Sequence, residues 1–587
     1  IAHRAWREAI EVLETVVSTA RETPQKLTAL FGLASLYERV VTQPADVERV
    51  LRAALDLEPT GPRALRALIR HLRSTEASAP EKVREQLAGL LERLVEAEPK
   101  PEEKQAILLE VFELRTTMGD RAGAERALVE AAAQAPNAEV LARLTAFHQG
   151  DQTAQARALS AVVARGQKLG RVDAGWLAAL GELEVDSMGR SQEGITHLRQ
   201  AAALDPNLFE TRFHLARALA RIGGNEEAAT TLLPMITPDP HPFLALKDQI
   251  AALELLERAL SGSRRGEEAI AVRELRAIAG GLDDGAHSWL RSRRLPYDPS
   301  SVDGLDRATL VKRALPPEGR HVLLEVAAAA SGMEGKIFRA NLAELGISTR
   351  ERIGGRSGHP IRALLDRVMR ILALDEVELA ISDTVSFARV FIQDVPWLVV
   401  PPALVDQPEP LQLAAIARAL TRVALRVPWI EDLPPPHVHA YLTAVARQVV
   451  PDFASDAEDR YFSELVAGYA PRVSHAIGRK HRKLLSDLAP QLESSRATAQ
   501  EVDALVQAIA RAEYRVAFLA SGELLSTFDE LRALDASFAR TSTTADLRAL
   551  AAVLAHPLAG DVARFAISPE ATALRWRIGT VWGASKS

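Results

Sequence analysis

Residues 207–240, NLFETRFHLARALARIGGNEEAATTLLPMITPDP, have the pattern of two short helices joined by a glycine turn. Leu215, Ala216 and Leu219 recur at helical spacing before the turn, and Ala228 and Leu232 do so after it. Gly223 falls where a tight turn needs a positive φ, which glycine adopts without a steric penalty. A proline at position 240 would end the second helix. The stretch therefore predicts a helical hairpin.

Two earlier stretches align with this hairpin without a gap. The shared columns hold a turn glycine, a small residue, an apolar residue, a further small or apolar residue and a closing proline: Gly119, Ala124, Leu128, Ala131 and Pro136; Gly189, Gly194, Leu198, Ala201 and Pro206; Gly223, Ala228, Leu232, Met235 and Pro240. The turn glycines are 70 and then 34 residues apart. On these columns and this period the sequence resembles the tetratricopeptide-repeat family.

The resemblance implies an N-terminal α-solenoid of helix pairs, which we place at residues 1–260 with six to seven pairs. Earlier units, ending at Pro59 and Pro99, fit more loosely. Residues 261–300 contain Ser261-Gly-Ser-Arg-Arg-Gly, Gly280-Gly281 and Asp283-Asp-Gly, which predict a linker or hinge. Residues 301–587 then form a second, mainly helical domain.

The composition agrees with a mostly α protein and excludes several function classes. The 587 residues are 47% apolar, 25% charged and 5% aromatic, and no apolar run is long enough to cross a bilayer. With 71 basic and 77 acidic residues, the net charge of −6 does not call for nucleic acid as a partner. The absence of cysteine excludes disulfides, thiolate zinc sites and cysteine nucleophiles. Of the basic residues 60 are Arg, a bias typical of GC-rich bacterial genomes. We expect a cytoplasmic protein, although the chain does not begin with methionine.

The second domain contains the convincing strands of the sequence. Val377, Leu379 and Ile381 occupy alternate positions, and residues 388–393 and 397–400 follow with turn residues between them. These runs predict a small sheet within the helical domain. Helices are predicted to resume at Leu411.

The strand-to-helix order from Trp397-Leu-Val-Val-Pro-Pro-Ala-Leu-Val to Leu411-Gln-Leu-Ala-Ala-Ile-Ala-Arg-Ala-Leu-Thr-Arg-Val is similar to the core of gluzincin metallopeptidases. In that family the helix carries His-Glu-x-x-His, whose histidines bind zinc and whose glutamate activates water. Here Arg418 and Arg422 stand at the ligand positions and Ala419 at the position of the base. The resemblance, at about residues 361–500, thus implies an inactive, metal-free pseudo-peptidase. The alternative is that this is an ordinary amphipathic helix.

Two other candidate sites have structural alternatives. His437-Val-His439 could bind a metal on a strand, but it opens a predicted helix, where residues two apart face different directions. The run Arg479-Lys-His-Arg-Lys483 could contact phosphate, but it lacks interleaved aromatic residues and suits a solvated helix face. We therefore predict no catalytic residue, no metal and no cofactor.

The sequence favours a non-enzymatic protein–protein interaction scaffold or adaptor. In tetratricopeptide arrays the first helix of each pair lines the concave face, which on the 207–240 unit offers Glu210, Phe213, Arg217 and Arg221. An aromatic side chain beside arginines suits a partner peptide with an apolar anchor and acidic flanks; equally, these residues could pack against the rest of the protein. The alternatives are a hydrolase with an unrecognised site and a nucleic-acid-associated regulator. The partner protein or assembly, and the oligomeric state, stay open.

Overall fold

The computed structural model is mostly α-helical, with one small sheet. It divides into two compact units, residues 1–218 and 219–587, which are described separately. The structure describes the whole chain apart from residues 1, 42, 76–79, 237–247, 281–287, 289–290, 293, 345, 349–350, 455–458, 496 and 584–587.

Unit 1 is a helical solenoid in which consecutive helices pack on one another. Its helices are α1 Ala2–Thr19, α2 Thr23–Leu36, α3 Pro44–Leu57, α4 Pro62–Thr75, α5 Pro80–Ala97, α6 Pro101–Thr117, α7 Arg121–Gln134, α8 Ala138–Phe147, α9 Gln152–Leu169, α10 Ala174–Asp186, α11 Ser191–Leu204 and the greater part of α12 Phe209–Arg221. A single π-helical turn, Tyr37–Val41, extends α2.

Local chemistry explains where these helices begin and end. Asp120, Asp151 and Asp173 precede α7, α9 and α10, and each side chain accepts a hydrogen bond from a backbone N–H of the first turn. Gly119 and Gly189 have φ of 74° and 66°, which confirms the predicted turn glycines. Helices α7 and α11 end two residues before Pro136 and Pro206.

The small residues of the repeat columns allow close helix packing. A Cβ on Gly194 would lie 2.6 Å from the backbone oxygen of Gly181, so α10 and α11 meet backbone to backbone. Ala124 and Leu198 are fully buried, as the repeat pattern predicts. Pro240, the last residue of the third column set, lies outside the described residues.

Unit 2 begins within α12 and contains the remaining helices. They are α13 Asn225–Leu232, α14 Gln249–Gly262, α15 Gly266–Ile278, α16 Val322–Ala329, α17 Pro360–Ile371, α18 Glu409–Leu425, α19 Pro435–Ala446, α20 Arg460–Ala476, α21 Arg479–Ser494, α22 Ala499–Ser521, α23 Leu524–Leu534, α24 Ala536–Ser542, α25 Leu547–Ala555, α26 Pro557–Ala566 and α27 Pro569–Ile578. Shorter helical turns occupy Leu233–Ile236, Pro299–Ser301, Arg307–Thr309, Leu310–Ala314, Pro317–Gly319, Glu334–Ile337, Pro402–Val405 and Ile430–Asp432.

The sheet has three strands, β1 Glu378–Ile381, β2 Arg389–Phe391 and β3 Trp397–Val400, at the predicted positions. Strand β3 is central; it pairs in parallel with β1 and antiparallel with β2. All four residues of β3 are buried, and α18 packs on β2 and β3. The long helix α22 packs along α18 and forms the centre of the unit.

The domain boundary differs from the predicted one. The units divide at Ala218 and Leu219, whereas the sequence places the end of the solenoid at 260. The predicted 261–300 linker contains α15, whose Val272 and Leu275 are fully buried. Glycines flank this helix rather than interrupt it, so a glycine-rich composition concealed a buried element.

Among the described residues, no single helix is both long and apolar enough to span a membrane. Only α25 and α26 taken together meet that criterion, and they are bent by 96° at the break between them.

Candidate functional site

A groove of unit 1 lies between α2 and α4, the first helices of two successive pairs. It encloses about 470 Å³ and has α3 as its floor. Val47 and Leu51 of α3 lie at that floor and are almost fully buried. Its walls carry Phe31, Ala34, Ser35, Glu38 and Arg39 on one side and Pro62, Arg63, Arg66, Ala67, Arg70 and His71 on the other. We call it the α2–α4 groove.

The walls of the α2–α4 groove are strongly basic. Arg63, Arg66 and Arg70 recur at positions i, i+3 and i+7, so they project from one face of α4. Arg66 is already paired, since its Nη2 lies 2.5 Å from Oε2 of Glu98. In contrast, the described residues give Arg39, Arg63 and Arg70 no carboxylate partner, and all three are exposed.

An aromatic ring lies within this basic surface. The guanidinium carbon of Arg63 stands 4.3 Å from the centroid of the Phe31 ring, the arrangement of a cation–π contact. Phe31 is partly buried, so one part of its ring is left for an apolar group in the groove. The groove thus combines an apolar floor, an aromatic anchor point and unpaired positive charge.

The predicted α12 residues lie on a face that is already neutralised. Arg217 forms an ion pair with Asp186 of α10, and its Nη2 also lies 3.2 Å from Nδ1 of His214. The ring of Phe213 packs edge-on against His214, with centroids 5.9 Å apart. A role for this face in binding stays a prediction, but Arg217 does not offer unpaired charge.

The other two predicted residues lie at the ends of that face. Glu210 is partly buried in the first turn of α12. Arg221 is exposed in the last turn, beyond the end of unit 1. The four residues share a helix, as the sequence predicts, without forming a single charged cluster.

Two titratable groups face each other beside the Arg217–Asp186 pair. Oε1 of Glu182 lies 3.8 Å from Nδ1 of His214. Burial raises the pKa of Glu182 to about 7, and the neighbouring Asp186 and Glu210 carboxylates act in the same direction. Burial lowers the pKa of His214, and Arg217 lowers it further. This part of unit 1 therefore changes charge near neutral pH.

In unit 2, Arg418, the first of the three residues compared with His-Glu-x-x-His (Arg418, Ala419 and Arg422), is enclosed in the core. Arg418 is only 2% exposed on α18. Its Nε donates to Oε1 of Glu530 at 2.8 Å and its Nη2 to the backbone oxygen of Ala388 at 2.7 Å. Burial alone would lower the pKa of Arg418, but the facing Glu530 carboxylate holds it above its ordinary value.

The second arginine has the same kind of environment one turn later. Arg422 donates from Nη2 to Oε2 of Glu513 at 2.8 Å, and its Nη1 lies 2.6 Å from Oε2 of Glu431. Ala419 is buried between the two arginines. A guanidinium has no lone pair to give a metal, so these positions hold ion pairs instead.

The two histidines of the predicted His-x-His pair have separate neighbours. Nδ1 of His437 lies 3.1 Å from the Tyr469 hydroxyl, while His439 is buried with its ring against Phe462. Arg479, Lys480, Arg482 and Lys483 are exposed on α21. In the part of the chain that the structure describes, three or more His, Asp or Glu side chains nowhere come together as a group that could hold a metal.

Sequence reasoning missed the α2–α4 groove, although a signal was present. The i, i+3, i+7 spacing of arginines on α4 is visible in the sequence, but the aromatic partner comes from another helix. Glu513 and Glu530 had no such signal, because their pairing with α18 depends on tertiary packing of residues about a hundred positions away.

No family model and no curated protein matches this chain. Solved structures that align with it include the MamA protein, with 20% identity over 29% of this chain and 87% of that chain, at a TM-score of 0.21. The pHSP90 complex of the TPR2AB domain of yeast Sti1 has 14% identity over 40% of this chain and 98% of that chain, at a TM-score of 0.16. The P58(IPK) TPR domain has 12% identity over 80% of this chain and 98% of that chain, at a TM-score of 0.15. At such TM-scores these alignments carry no argument about function.

Proposed function

We propose that this chain is a non-enzymatic interaction scaffold whose α2–α4 groove binds an acidic segment of a partner protein around an apolar anchor. The observation that carries the proposal is the set of exposed arginines, Arg39, Arg63 and Arg70, around an apolar floor. Glu38 is the one carboxylate of the groove lining, so the walls keep a net positive charge, which favours a ligand of the opposite sign.

The ligand chemistry follows from the groove walls. Guanidinium groups bind carboxylates through paired N–H donors, so glutamate or aspartate side chains are the matching groups. Phe31 and Ala67, which are partly exposed in the groove walls, provide an apolar contact for one leucine-like or aromatic side chain of the partner. The segment would lie across α2 and α4 with its carboxylates toward α4.

The predicted α12 face is a weaker candidate for the same function. Its Arg217 is compensated by Asp186, so an acidic ligand would have to displace an internal ion pair. A ligand at the α2–α4 groove meets no such competition at Arg63 and Arg70. We therefore place the primary site at the α2–α4 groove and keep the α12 residues as a second contact.

The experiment measures binding of a short fluorescein-labelled peptide, with glutamates around one leucine, to the full chain by fluorescence anisotropy. Charge reversal at Arg63 and Arg70 to Glu should weaken binding by at least about tenfold. Arg126→Glu is the matched control, because Arg126 is exposed on α7 and does not line the groove. Equal loss in the control, or none in the double variant, would overturn the proposal.

We infer further that unit 2 is an inactive relative of metallopeptidases, following the resemblance around α18. The relation itself rests on the strand-to-helix resemblance alone; the buried ion pairs at Arg418 and Arg422 support only the inactive part of the proposal, because they leave the two compared positions without a metal-binding atom. Purified protein should carry no stoichiometric zinc and cleave no peptide. About one zinc per chain by elemental analysis, lost on replacing His437 and His439 by Ala, would contradict it.

A further inference from the structure

The α2–α4 groove extends along its two helices. Its lining runs from Phe31 to Arg39 on α2 and from Pro62 to His71 on α4. Short connections join α2 to α3 and α3 to α4, which makes successive helices antiparallel, so α2 and α4 run in the same direction. The groove is therefore about two helical turns long, and its two ends have different linings.

One end of the groove is aromatic. The guanidinium carbon of Arg63 lies 4.3 Å from the centroid of the Phe31 ring, so these two residues stand at the same level of the groove. Pro62, which is exposed, lines the same end. An apolar side chain of a ligand finds its contact surface here.

The other end of the groove is charged. On α4, Arg70 lies seven residues after Arg63; on α2, Arg39 lies eight residues after Phe31. Both arginines are exposed and line the groove, together with Glu38. Two guanidinium groups against one carboxylate leave one positive charge unbalanced at this end. A single carboxylate of a ligand would neutralise it.

Small side chains line the middle of the groove. Ser35 on α2 is exposed and Ala67 on α4 is partly exposed, and both lie between the two ends. Arg66, the residue before Ala67, is held by its ion pair with the buried Glu98. The middle therefore leaves room for the backbone of a ligand that contacts the aromatic end and the charged end.

The distance between the ends favours one ligand conformation. At a rise of 1.5 Å per residue, Arg63 and Arg70 are about 10.5 Å apart along α4. A polyproline II segment has three residues per turn and a rise of about 3.1 Å, so residues three positions apart project from the same side, about 9 Å apart. In a β-strand, residues three positions apart project from opposite sides.

We propose that the α2–α4 groove selects a polyproline II-like segment in which one acidic residue lies three positions from one apolar residue. The apolar side chain contacts Phe31, and the carboxylate lies between Arg39 and Arg70. This inference rests on the proposed function, because it takes an acidic partner segment as the occupant of the groove. The separation of the two side chains then distinguishes one partner segment from another.

The test is a competition experiment with the full chain and the labelled peptide of the proposed function. The competitors are unlabelled eight-residue peptides, blocked at both ends, with one Leu, one Glu and otherwise Ser and Gln. Leu and Glu stand one, three or six positions apart, in either order. The better order at a separation of three should inhibit with a constant at least about fivefold lower than any peptide at a separation of one or six.

The outcomes separate the inference from the proposed function. Equal inhibition at all separations, or no inhibition by any competitor, would overturn the inference and leave the proposed function standing. Failure of the labelled peptide itself to bind would overturn the proposed function, and the inference with it.

Proline tests the conformation of the bound segment. Two prolines between Leu and Glu restrict φ to the polyproline II range and prevent a helix. This peptide should inhibit at least as well as its counterpart with Ser and Gln between the two residues. A loss of more than about fivefold would overturn the polyproline II geometry.

Variants assign the two side chains to the ends of the groove. The separation-three peptide and its counterpart with glutamine in place of glutamate are labelled and measured by direct anisotropy. Arg39→Gln and Arg70→Gln should each remove most of the preference for glutamate, whereas Arg126→Gln, outside the groove, should leave it unchanged. An unchanged preference in both groove variants would overturn the inference.

A substitution in the middle tests whether the segment passes between the ends. Ser35→Phe fills the groove from an exposed position and should weaken binding of the separation-three peptide by at least about tenfold. Ser18→Phe, at an exposed position of α1, is the matched control. Circular dichroism checks the fold of both; if Ser35→Phe unfolds, the arginine variants decide. Unchanged binding by folded Ser35→Phe would overturn the inference.

Discussion

Buried arginines dominate the chemistry of α18 at the scale of single residues. Arg418 and Glu530 are 2% and 4% exposed, so each charge depends on the other for compensation. Removing one partner leaves a buried charge without its counterion, which is far more costly than removing both. The pair thus fixes how α18 packs against α23, whatever its net contribution to stability.

We expect Glu530→Gln to destabilise the native state by about 3–5 kcal/mol, because the Arg418 guanidinium stays charged in the core. The double variant Arg418→Leu, Glu530→Leu should be much closer to the unaltered chain. Urea unfolding measures both. The exposed Arg460–Glu464 pair on α20 is the control, and breaking it should cost less than about 0.5 kcal/mol. A single variant as stable as the control would mean that the core pair is not ionised.

Glu182 makes local stability depend on pH. Its folded-state pKa of about 7 exceeds the ordinary value of 4.5, so the folded chain binds more protons between those values. Its contribution to stability therefore declines as pH rises from about 5 to about 7. His214, with its lowered pKa, acts in the opposite direction. It is present both in the unaltered chain and in a chain that carries a substitution at Glu182, so a comparison of the two isolates Glu182.

Glu182→Gln should accordingly gain protection relative to the unaltered chain as pH rises. Hydrogen–deuterium exchange of α10 peptides at about pH 5 and about pH 8, corrected for intrinsic rates, measures this difference. Glu193→Gln, at an exposed position of α11, should show no such trend. A pH-independent difference for Glu182→Gln would be evidence against the raised pKa.

At the scale of elements, the sequence predicted features that depend on local chemistry. The turn glycines have the expected positive φ, and the three strands lie within the three runs that the sequence predicts. The burial of helix α15 was not predicted, because it depends on packing against α14, α23 and the C-terminal helices rather than on its own composition. The basic wall of α4 is readable from its spacing, but Phe31 reaches it only in the folded solenoid.

The approach of α10 and α11 gives an element-scale prediction. Gly194→Ala places a Cβ 2.6 Å from the Gly181 carbonyl oxygen, so the helices must separate, at a cost of about 1–3 kcal/mol. Gly89→Ala is the control, since nothing lies within 4 Å of that Cβ, and it should stabilise α5 by about 0.5–1 kcal/mol through helix propensity. Urea unfolding of both variants compares them. If they change stability in the same direction, the two helices are not in backbone contact.

At the scale of the whole molecule, average charge concealed a local cluster. A net charge of −6 does not suggest a polyanionic ligand, yet one groove of unit 1 carries exposed arginines without carboxylate partners. Net charge is a sum over the surface, whereas recognition depends on the local field. On α12 the sequence shows Arg217 but not its ion pair with Asp186, which forms only in the folded chain. The predicted site therefore has no unpaired charge at Arg217.

The division of the chain into units leads to a prediction about fragments. Helix α14 packs on α15, and its Leu253, Leu256 and Leu260 are nearly fully buried. A fragment of residues 261–587, cut at the boundary that the sequence suggests, lacks α14 and uncovers the apolar surface of α15. We expect it to bind the dye ANS and to self-associate in size-exclusion chromatography, because large exposed apolar patches promote association. A fragment of residues 207–587 keeps α12 to α14 and should do neither. If both fragments are monomeric and bind ANS equally weakly, α14 does not belong to the core of unit 2.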